Sequence, residues 1–187
     1  LTIPQFIKKI VDFCFFKFRI ESITKIGSNY FLHVLIEIIV FVENSELQII
    51  GSHAFSGSKI ETIIFLPHVT EIQRFAFSDC EQLKQIPFLD NSELQIIHMG
   101  AFQNTKIRNI KIPQHVKKYA RAFQHSYLDI IDFPENSELE TIQDFAFGST
   151  FIKYIAIPSS VTKIGENTFD KSYDLGLLFI DDNLDWK

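Results

Sequence analysis

Residues 107–123 read IRNIKIPQHVKKYARAF, and residues 152–169 read IKYIAIPSSVTKIGENTF. Each stretch ends in a phenylalanine that belongs to a regular series along the chain. The series is Phe31, Phe55, Phe77, Phe102, Phe123, Phe147 and Phe169, separated by 24, 22, 25, 21, 24 and 22 residues. A repeat length of about 23 residues is typical of solenoids, in which each repeat is one structural unit stacked on the next. The sequence therefore predicts a stacked repeat architecture.

Two short apolar patterns lie between successive members of this series. The first is [Leu/Ile]-x-x-Ile-x-[Ile/Phe], and its last half alternates as a short strand with one buried face does. Its copies, with two looser ones at the ends, are IEIIVF (36–41), IETIIF (60–65), LKQIPF (83–88), IRNIKI (107–112), LDIIDF (128–133), IKYIAI (152–157) and LGLLFI (175–180). The second is [Val/Leu]-x-x-Ile, as in Val69–Ile72, with Val116–Tyr119 as its aromatic variant. We therefore predict two short strands per repeat, the first of which builds the main sheet.

The segments that join the patterns carry turn-forming residues. Proline follows the first strand in alternate repeats, directly at Pro113 and Pro158 and after one residue at Pro67. Its missing N–H ends the strand pairing there at little cost. The other repeats carry an acidic-Asn-Ser turn at 43–45, 90–92 and 135–137, closed by its own polar side chains. The Ala-Phe pair after the second pattern predicts a single helical or 3₁₀ turn, with Phe in the interior.

The composition is that of an ordinary folded protein. The 187 residues are 46% hydrophobic and 22% charged, so disorder is not expected. A formal net charge of −5, without a Lys/Arg run longer than two residues, provides no basic face for nucleic acid. The longest apolar stretch, 31–42, is short for a membrane span and contains His33 and Glu37. We therefore expect neither a nucleic-acid partner nor a membrane span, and no signal peptide is visible.

Cysteine and histidine, the usual ligands and nucleophiles, are few and scattered. Cys14 and Cys80 have no CxxC spacing, and Cys80 occupies a turn position that suits a packed thiol. His68 and His115 lie two rungs apart, roughly 10 Å, which is too far to share a metal ion. These positions predict a buried structural thiol and solvated loop histidines.

The acidic residues near the end of the chain are the remaining metal candidates. Asp181, Asp182 and Asp185 have the spacing of no defined calcium loop, so an acidic turn is the preferred interpretation. No nucleophile elbow, phosphate loop or zincin motif occurs. We therefore predict no catalytic residue, no metal, no cofactor and no enzymatic activity.

Outward-facing strand residues are the best candidates for a binding site. The third and fifth positions of the first pattern flank its buried Ile, so they should line one solvent-facing surface. These positions vary while the core positions stay constant, as expected of a scaffold that carries a recognition surface. The candidate binding residues are Ile38, Val40, Thr62, Ile64, Gln85, Asn109, Lys111, Ile130, Asp132 and Tyr154.

Two interpretations of these outward residues remain open. The cluster of Ile38, Val40 and Ile64, with Tyr154 further along, favours an exposed binding patch. The alternative is that β-branched residues occur there only because strands favour them. The charges at the second strand position mostly change sign from one repeat to the next, starting at Glu61. They predict cross-strand ion pairs rather than ligand recognition.

The combined pattern LxxIxIPxxVxxIxxxAF resembles the BspA-like leucine-rich repeats, and 107–123 and 152–169 are near-complete copies. The resemblance covers residues 31–180, with weaker copies before them. It implies a right-handed leucine-rich-repeat solenoid, rich in β-structure. Such a fold has one parallel sheet of short strands, short second strands and short helical or 3₁₀ turns.

The resemblance also implies a function. It suggests a non-catalytic surface or secreted protein of bacteria or parasitic protists, which binds host matrix proteins or other cell-surface proteins. The fold alone does not decide this, because one fold carries many functions. The alternative is an intracellular scaffold, or a decayed repeat fragment without a partner of its own.

We expect one repeat array over residues 1–187, with about seven to eight rungs of ~23 residues. The distance from Phe15 to Phe31 is only 16 residues, which predicts an irregular join near 15–22. Neither end carries the polar cap that an open solenoid end requires, so both ends are expected to be truncated.

Overall fold

A computed structural model describes residues 18–20, 24–35, 38–41, 45–119, 121–179 and 185–186. Within them the chain forms fifteen short strands, and every strand pairing is parallel. The strands are β1 (Phe18–Ile20), β2 (Lys25–Ile26), β3 (Ile38–Phe41), β4 (Ile49–Ile50), β5 (Thr62–Ile63), β6 (Glu71–Ile72), β7 (Ile96–Ile97), β8 (Asn109–Lys111), β9 (Lys118–Tyr119), β10 (Ile130–Asp132), β11 (Thr141–Ile142), β12 (Tyr154–Ala156), β13 (Lys163–Ile164), β14 (Leu177–Phe179) and β15 (Asp185–Trp186). This is a parallel β-solenoid, as the repeat predicts.

The second pattern forms one continuous sheet, here called the back sheet. It has eight strands in the order β15-β13-β11-β9-β7-β6-β4-β2. Equivalent residues pair from rung to rung, as Ile142 does with Ile164. The last Ile of the pattern points inward, so Ile50, Ile72 and Ile142 are fully buried. Two residues per strand suffice because every strand except the outermost, β15 and β2, has a partner on both sides.

The first pattern forms the opposite side, here called the front, and its strands fall into three groups. These groups are β1-β3-β5, β8-β10 and β12-β14. Between the first two groups, segment 83–88 makes only isolated bridges, Thr62 to Gln85 and Phe65 to Phe88. Pro87 lies inside this segment and has no N–H to donate, which interrupts the ladder. The continuous sheet is therefore at the back, whereas the sequence placed the main sheet at the front.

The repeated phenylalanines form the buried spine that the period predicts. The ring centroids of Phe31 and Phe55 are 5.1 Å apart, and those of Phe55 and Phe77 are also 5.1 Å apart. Phe102 continues the stack at 5.5 Å from Phe77 and 5.2 Å from Phe123. The interplanar angles of these pairs are between 6° and 18°. The rings therefore lie nearly parallel, one per rung, along the solenoid axis.

The prediction of a helical turn at Ala-Phe is wrong, because the described residues form no helix and tandem turns stand in its place. The amide of Ala54 donates to Gly51 and that of Ser56 to His53, whereas the amide between them, Phe55, donates to Ala76 of the next rung. Residues two before and two after each spine Phe have positive φ, which no right-handed helix allows. These pairs are Asn29/His33, His53/Gly57, Phe75/Asp79, Gly100/Asn104, Arg121/His125, Phe145/Ser149 and Asn167/Lys171.

The acidic-Asn-Ser turns close as predicted, through their serine side chains. The Ser45 hydroxyl accepts a hydrogen bond from the amide of Leu47 at 3.3 Å. Ser92 and Ser137 accept equivalent bonds from the amides two residues later, at 3.4 and 3.3 Å. All three serines are buried, so the bond satisfies a polar group that has no access to water.

The join predicted near 15–22 lies mostly outside the described residues. Of this segment the structure describes Phe18–Ile20, which forms β1 and pairs with β3 through Phe18 and Ile39. These three residues therefore have strand backbone. Cys14 also lies outside the described residues.

Candidate binding face

The structure places the predicted binding residues of four central and C-terminal rungs on one exposed surface, the front face. Gln85, Asn109, Lys111, Ile130, Asp132 and Tyr154 are all exposed. Strand pairing sets them side by side, with Ile130 beside Asn109 and Asp132 beside Lys111. The buried residue of each strand, such as Ile131, faces the spine instead. The alternation therefore separates the core from a solvent-facing row, as predicted.

At the N-terminal end of this row the structure describes the side chains of only two predicted residues, Thr62 and Ile64. Thr62 and Ile64 are only half-exposed. Ile38 and Val40 belong to β3, but their side chains lie outside the described part of the structure. The predicted cluster of Ile38, Val40 and Ile64 therefore stays a prediction.

The middle of the front face is polar and carries ion pairs between rungs. Lys84 Nζ lies 3.6 Å from the Glu61 carboxylate, and Arg108 donates to Asp129 at 3.0 Å. These two pairs confirm the predicted cross-strand charge pairing. Lys111 Nζ also lies 3.7 Å from Asp90. Exposed pairs of this kind contribute at most about 1 kcal/mol each, so they favour the register of the rungs without fixing it alone.

The C-terminal end of the front is apolar, and we call it the front apolar patch. Six side chains form it, with exposed fractions from 37% for Ile130 to 87% for Tyr173. They are Tyr127, Ile130, Phe151, Tyr154, Tyr173 and Phe179. Large apolar side chains of this exposure, grouped on one face, are typical of interaction sites.

Three members of the patch form a column that the sequence analysis missed. Tyr127, Phe151 and Tyr173 each come four residues after a spine Phe and three or four residues before a front strand. The rings of Tyr127 and Phe151 stack at 5.6 Å with an angle of 22°. Their spacing of 24 and 22 residues is the spacing of the spine itself. The same periodicity that located the spine would therefore have located this column.

Two predicted members, Ile130 and Tyr154, connect the patch to the rest of the front face. Ile130 pairs with the polar Asn109, and Tyr154 pairs with Leu177 in the next strand. The patch therefore adjoins the polar row along the front. A ligand that follows the strands would meet charged groups in the middle and aromatic rings at the end.

Cys80 is the buried structural thiol that the sequence predicts. Its Sγ donates to the carbonyl of Phe55 at 3.1 Å and lies 3.3 Å from the Ser58 hydroxyl. Burial raises the pKa of the thiol from 9.0 to about 11, since the thiolate would lose its hydration. A thiol of this kind is protonated at neutral pH and is not a nucleophile.

Three of the six histidines, His68, His98 and His115, pair with glutamates of neighbouring rungs. His68 Nδ1 lies 3.4 Å from Glu93, and His115 Nδ1 lies 2.8 Å from Glu138. In the part of the chain that the structure describes, no three His, Cys, Asp or Glu residues group as a metal site would require. Asp181 and Asp182 lie outside that part, so the acidic turn stays a prediction.

The family of this chain follows from its repeats. The BspA type leucine-rich repeat region, in six copies, matches the chain over residues 1–65, 15–128 and 48–176. These matches cover most of the 187 residues. The chain belongs to the BspA-type leucine-rich repeat family. No protein of curated function matches this BspA-type chain in sequence.

Solved structures of other leucine-rich repeat proteins are similar to this BspA-type chain. A leucine-rich repeat protein from Bacteroides ovatus has 29% identity and a TM-score of 0.75, over 88% of this chain and 43% of that one. The pneumococcal vaccine antigen PcpA has 20% identity and a TM-score of 0.65, over 90% and 51%. A leucine-rich cell surface protein from Faecalibacterium prausnitzii has 22% identity and a TM-score of 0.55, over 87% and 46%.

These structures confirm the leucine-rich-repeat solenoid, and the last two show the fold alone. This BspA-type chain spans about half the length of the structures that it matches. Among the residues that the structure describes, no helix is long and apolar enough to cross a membrane.

Proposed function

We propose that this BspA-type chain is a non-catalytic solenoid that binds a protein partner through its front apolar patch. The observation that carries the proposal is the exposure of six large apolar side chains on one end of one face. Burial of such side chains against a partner is favourable by roughly 25 cal/mol for each Å² of apolar surface removed from water. Aromatic residues are enriched at protein interfaces for this reason.

The fold supports this role because it separates stability from recognition. Front residues such as Phe151 and Tyr154 are exposed, whereas the residues that follow each of them, Ile152 and Ile155, are fully buried. Exposed side chains can therefore be replaced without opening the core. The stacked rungs hold the patch rigid, so little conformational entropy is lost when a partner binds.

We further propose that the partner is a host matrix protein or another cell-surface protein, and that the chain acts on a cell surface or after secretion. The family membership supports this place of action, and the similar chain from Faecalibacterium prausnitzii is described as a cell surface protein. Several weak contacts at the fixed rung interval would sum to firm attachment.

The test is binding of the purified chain to a panel of immobilised matrix proteins and to intact cells, measured by biolayer interferometry and flow cytometry. A double variant, Phe151→Ala with Tyr154→Ala, is expected to weaken binding at least about tenfold, because central aromatic residues carry much of an interface's energy. Lys153→Ala is the matched control, since Lys153 lies between them and is exposed. It is expected to bind as the original chain does. Unchanged binding by the double variant would contradict the proposal.

A further inference from the structure

A cavity of about 360 Å³ opens on the back sheet, opposite the front face. Its lining includes Met99 from one rung, Arg121 from the next, Thr141 and Ile142 from the third and Lys163 from the fourth. The cavity is of a size that accommodates a small molecule or one side chain of a peptide.

The position of the cavity has a cause in the sequence. In the neighbouring rungs five positions separate the end of the second pattern from the spine Phe, as between Ile97 and Phe102. Between Tyr119 and Phe123 the separation is only four. The rung at 119–123 is therefore one residue shorter, and the cavity lies beside it, between Met99 and the rung of Thr141. Removal of one residue from a regular stack leaves space that the neighbouring rungs do not fill.

Arg121 is held at the cavity by two contacts. Its guanidinium carbon lies 4.5 Å above the centre of the Phe145 ring, a cation–π contact. Its Nε donates to the carbonyl of Asp144 at 3.2 Å. Neither contact uses the two terminal nitrogens, and no other described residue accepts a hydrogen bond from them. A guanidinium that is fixed in this way presents its remaining donors in the fork that binds a carboxylate or phosphate.

Two lysines add to this positive charge. Lys118 and Lys163 flank Thr141 in the back sheet, one on each side, and both are exposed. The carboxylate that faces the cavity is that of Asp144, whose Oδ1 accepts a hydrogen bond from the amide of Glu166 at 3.0 Å. The lining itself therefore carries two cations, Arg121 and Lys163, and one carboxylate, Asp144, that already has a donor. This local charge is opposite in sign to the net charge of −5.

The same cavity has an apolar wall. This wall is formed by Met99, which is half-buried and lines the cavity. An inorganic anion would pair with the positive charges but would leave the apolar wall exposed to water. An organic anion with an apolar body would satisfy both, because its charge and its hydrocarbon are recognised by different sides of the cavity.

We propose that this cavity binds a small carboxylate with an apolar side chain, either a free organic acid or the C-terminal residue of a peptide. Arg121 and Lys163 would hold the carboxylate, and Met99 would contact the side chain. The proposal does not depend on the front apolar patch, because the two sites lie on opposite sheets.

The test is titration of the chain with N-acetyl-leucine, followed by ¹H–¹⁵N NMR chemical shifts. Saturable chemical-shift changes are expected at the amides of Arg121 and Gln143. For a ligand of this size the dissociation constant should be on the order of millimolar. N-acetyl-leucine amide lacks the charge, and inorganic phosphate lacks the apolar body, so both are expected to bind at least about tenfold more weakly. Equal binding of the amide or of phosphate would overturn the proposal.

Variants locate the site and distinguish the two sources of the carboxylate. Arg121→Gln is expected to weaken binding about tenfold, and Lys163→Gln, which changes an exposed residue and leaves the fold intact, about threefold. Arg108→Gln on the front is the control and should bind normally. Unchanged affinity in both cavity variants would overturn the proposal. Tighter binding of N-acetyl-Gly-Gly-Leu than of N-acetyl-leucine would identify a peptide C-terminus, and equal binding a free acid.

Discussion

This molecule has two aromatic ladders with the same period, an inner one in successive rungs and an outer one confined to the C-terminal rungs. In the inner ladder Phe77, Phe102 and Phe123 are fully buried and stack at 5.5 and 5.2 Å. In the outer ladder Tyr127 and Phe151 stack at 5.6 Å, yet they are 48% and 45% exposed. Ring spacing is thus nearly the same in both, and burial alone distinguishes them.

This comparison shows how a repeat protein assigns two roles to one residue type. An inner ring is enclosed by its neighbours above, below and around it, so its removal leaves a cavity. An outer ring has solvent on one side, so its removal costs little and its apolar surface stays available to a partner. Four residues along the repeat separate a buried structural position from a solvent-facing one.

The largest effect that this comparison predicts is on stability. Phe102→Ala is expected to lower the free energy of unfolding by about 3–5 kcal/mol, because the site is closed on every side and cannot collapse fully. Phe151→Ala, the same change in the outer ladder, is expected to cost less than about 1 kcal/mol. Urea unfolding followed by circular dichroism measures both. Equal losses in the two variants would show that the ladders do not differ as their burial indicates.

A second prediction uses Cys80, three residues beyond Phe77 on the inner side of the turn. Its pKa is raised to about 11 in the folded state, so folding favours the neutral thiol. The contribution of the neutral Cys80 thiol to the free energy of unfolding is complete below pH 9. It is lost as the pH rises from 9 toward 11. Two pKa units correspond to at most about 3 kcal/mol.

The measurement is urea unfolding at pH 8 and pH 10.5, in a Cys14→Ser background so that Cys80 is the sole thiol. Comparison with a further Cys80→Ser change removes the contribution of lysines and tyrosines, which titrate in both proteins. At pH 10.5 the free energy of unfolding of the protein with Cys80 should fall relative to that of the protein with the Cys80→Ser change. The difference between the two proteins should therefore shrink or reverse in favour of serine. An identical pH dependence in both proteins would contradict the buried-thiol account.

Much of this fold is predictable from the sequence because its signals repeat. The spine follows from the Phe series, the front rows from the strand pattern, and the ion pair of Arg108 with Asp129 from alternating charge. The column of Tyr127 and Phe151 carries the same period and was equally predictable. The column lies before the strand, outside the strand pattern. The prediction of exposed residues used only positions inside that pattern and therefore did not include it.

Other features depend on geometry that single residues signal weakly. Left-handed backbone beside each spine Phe is marked by Asn, Asp or Gly at some rungs, such as Asn29 and Gly57, but by Phe75 and Arg121 at others. The interruption of the front ladder depends on one residue, Pro87. The cavity depends on a single missing residue before Phe123. The spacing of 21 residues between Phe102 and Phe123 reveals that a residue is missing, but it does not reveal whether the front or the back of the solenoid has the cavity.

The most direct test of the account is photo-crosslinking from one position on each side of the solenoid. Benzoylphenylalanine would replace Phe151 on the front and Glu140, an exposed residue beside the back sheet, in separate proteins. Each would be irradiated with the matrix or cell-surface protein that the binding panel identifies. The account predicts a crosslinked complex from position 151 and none from position 140. A complex from position 140 without one from position 151 would contradict it.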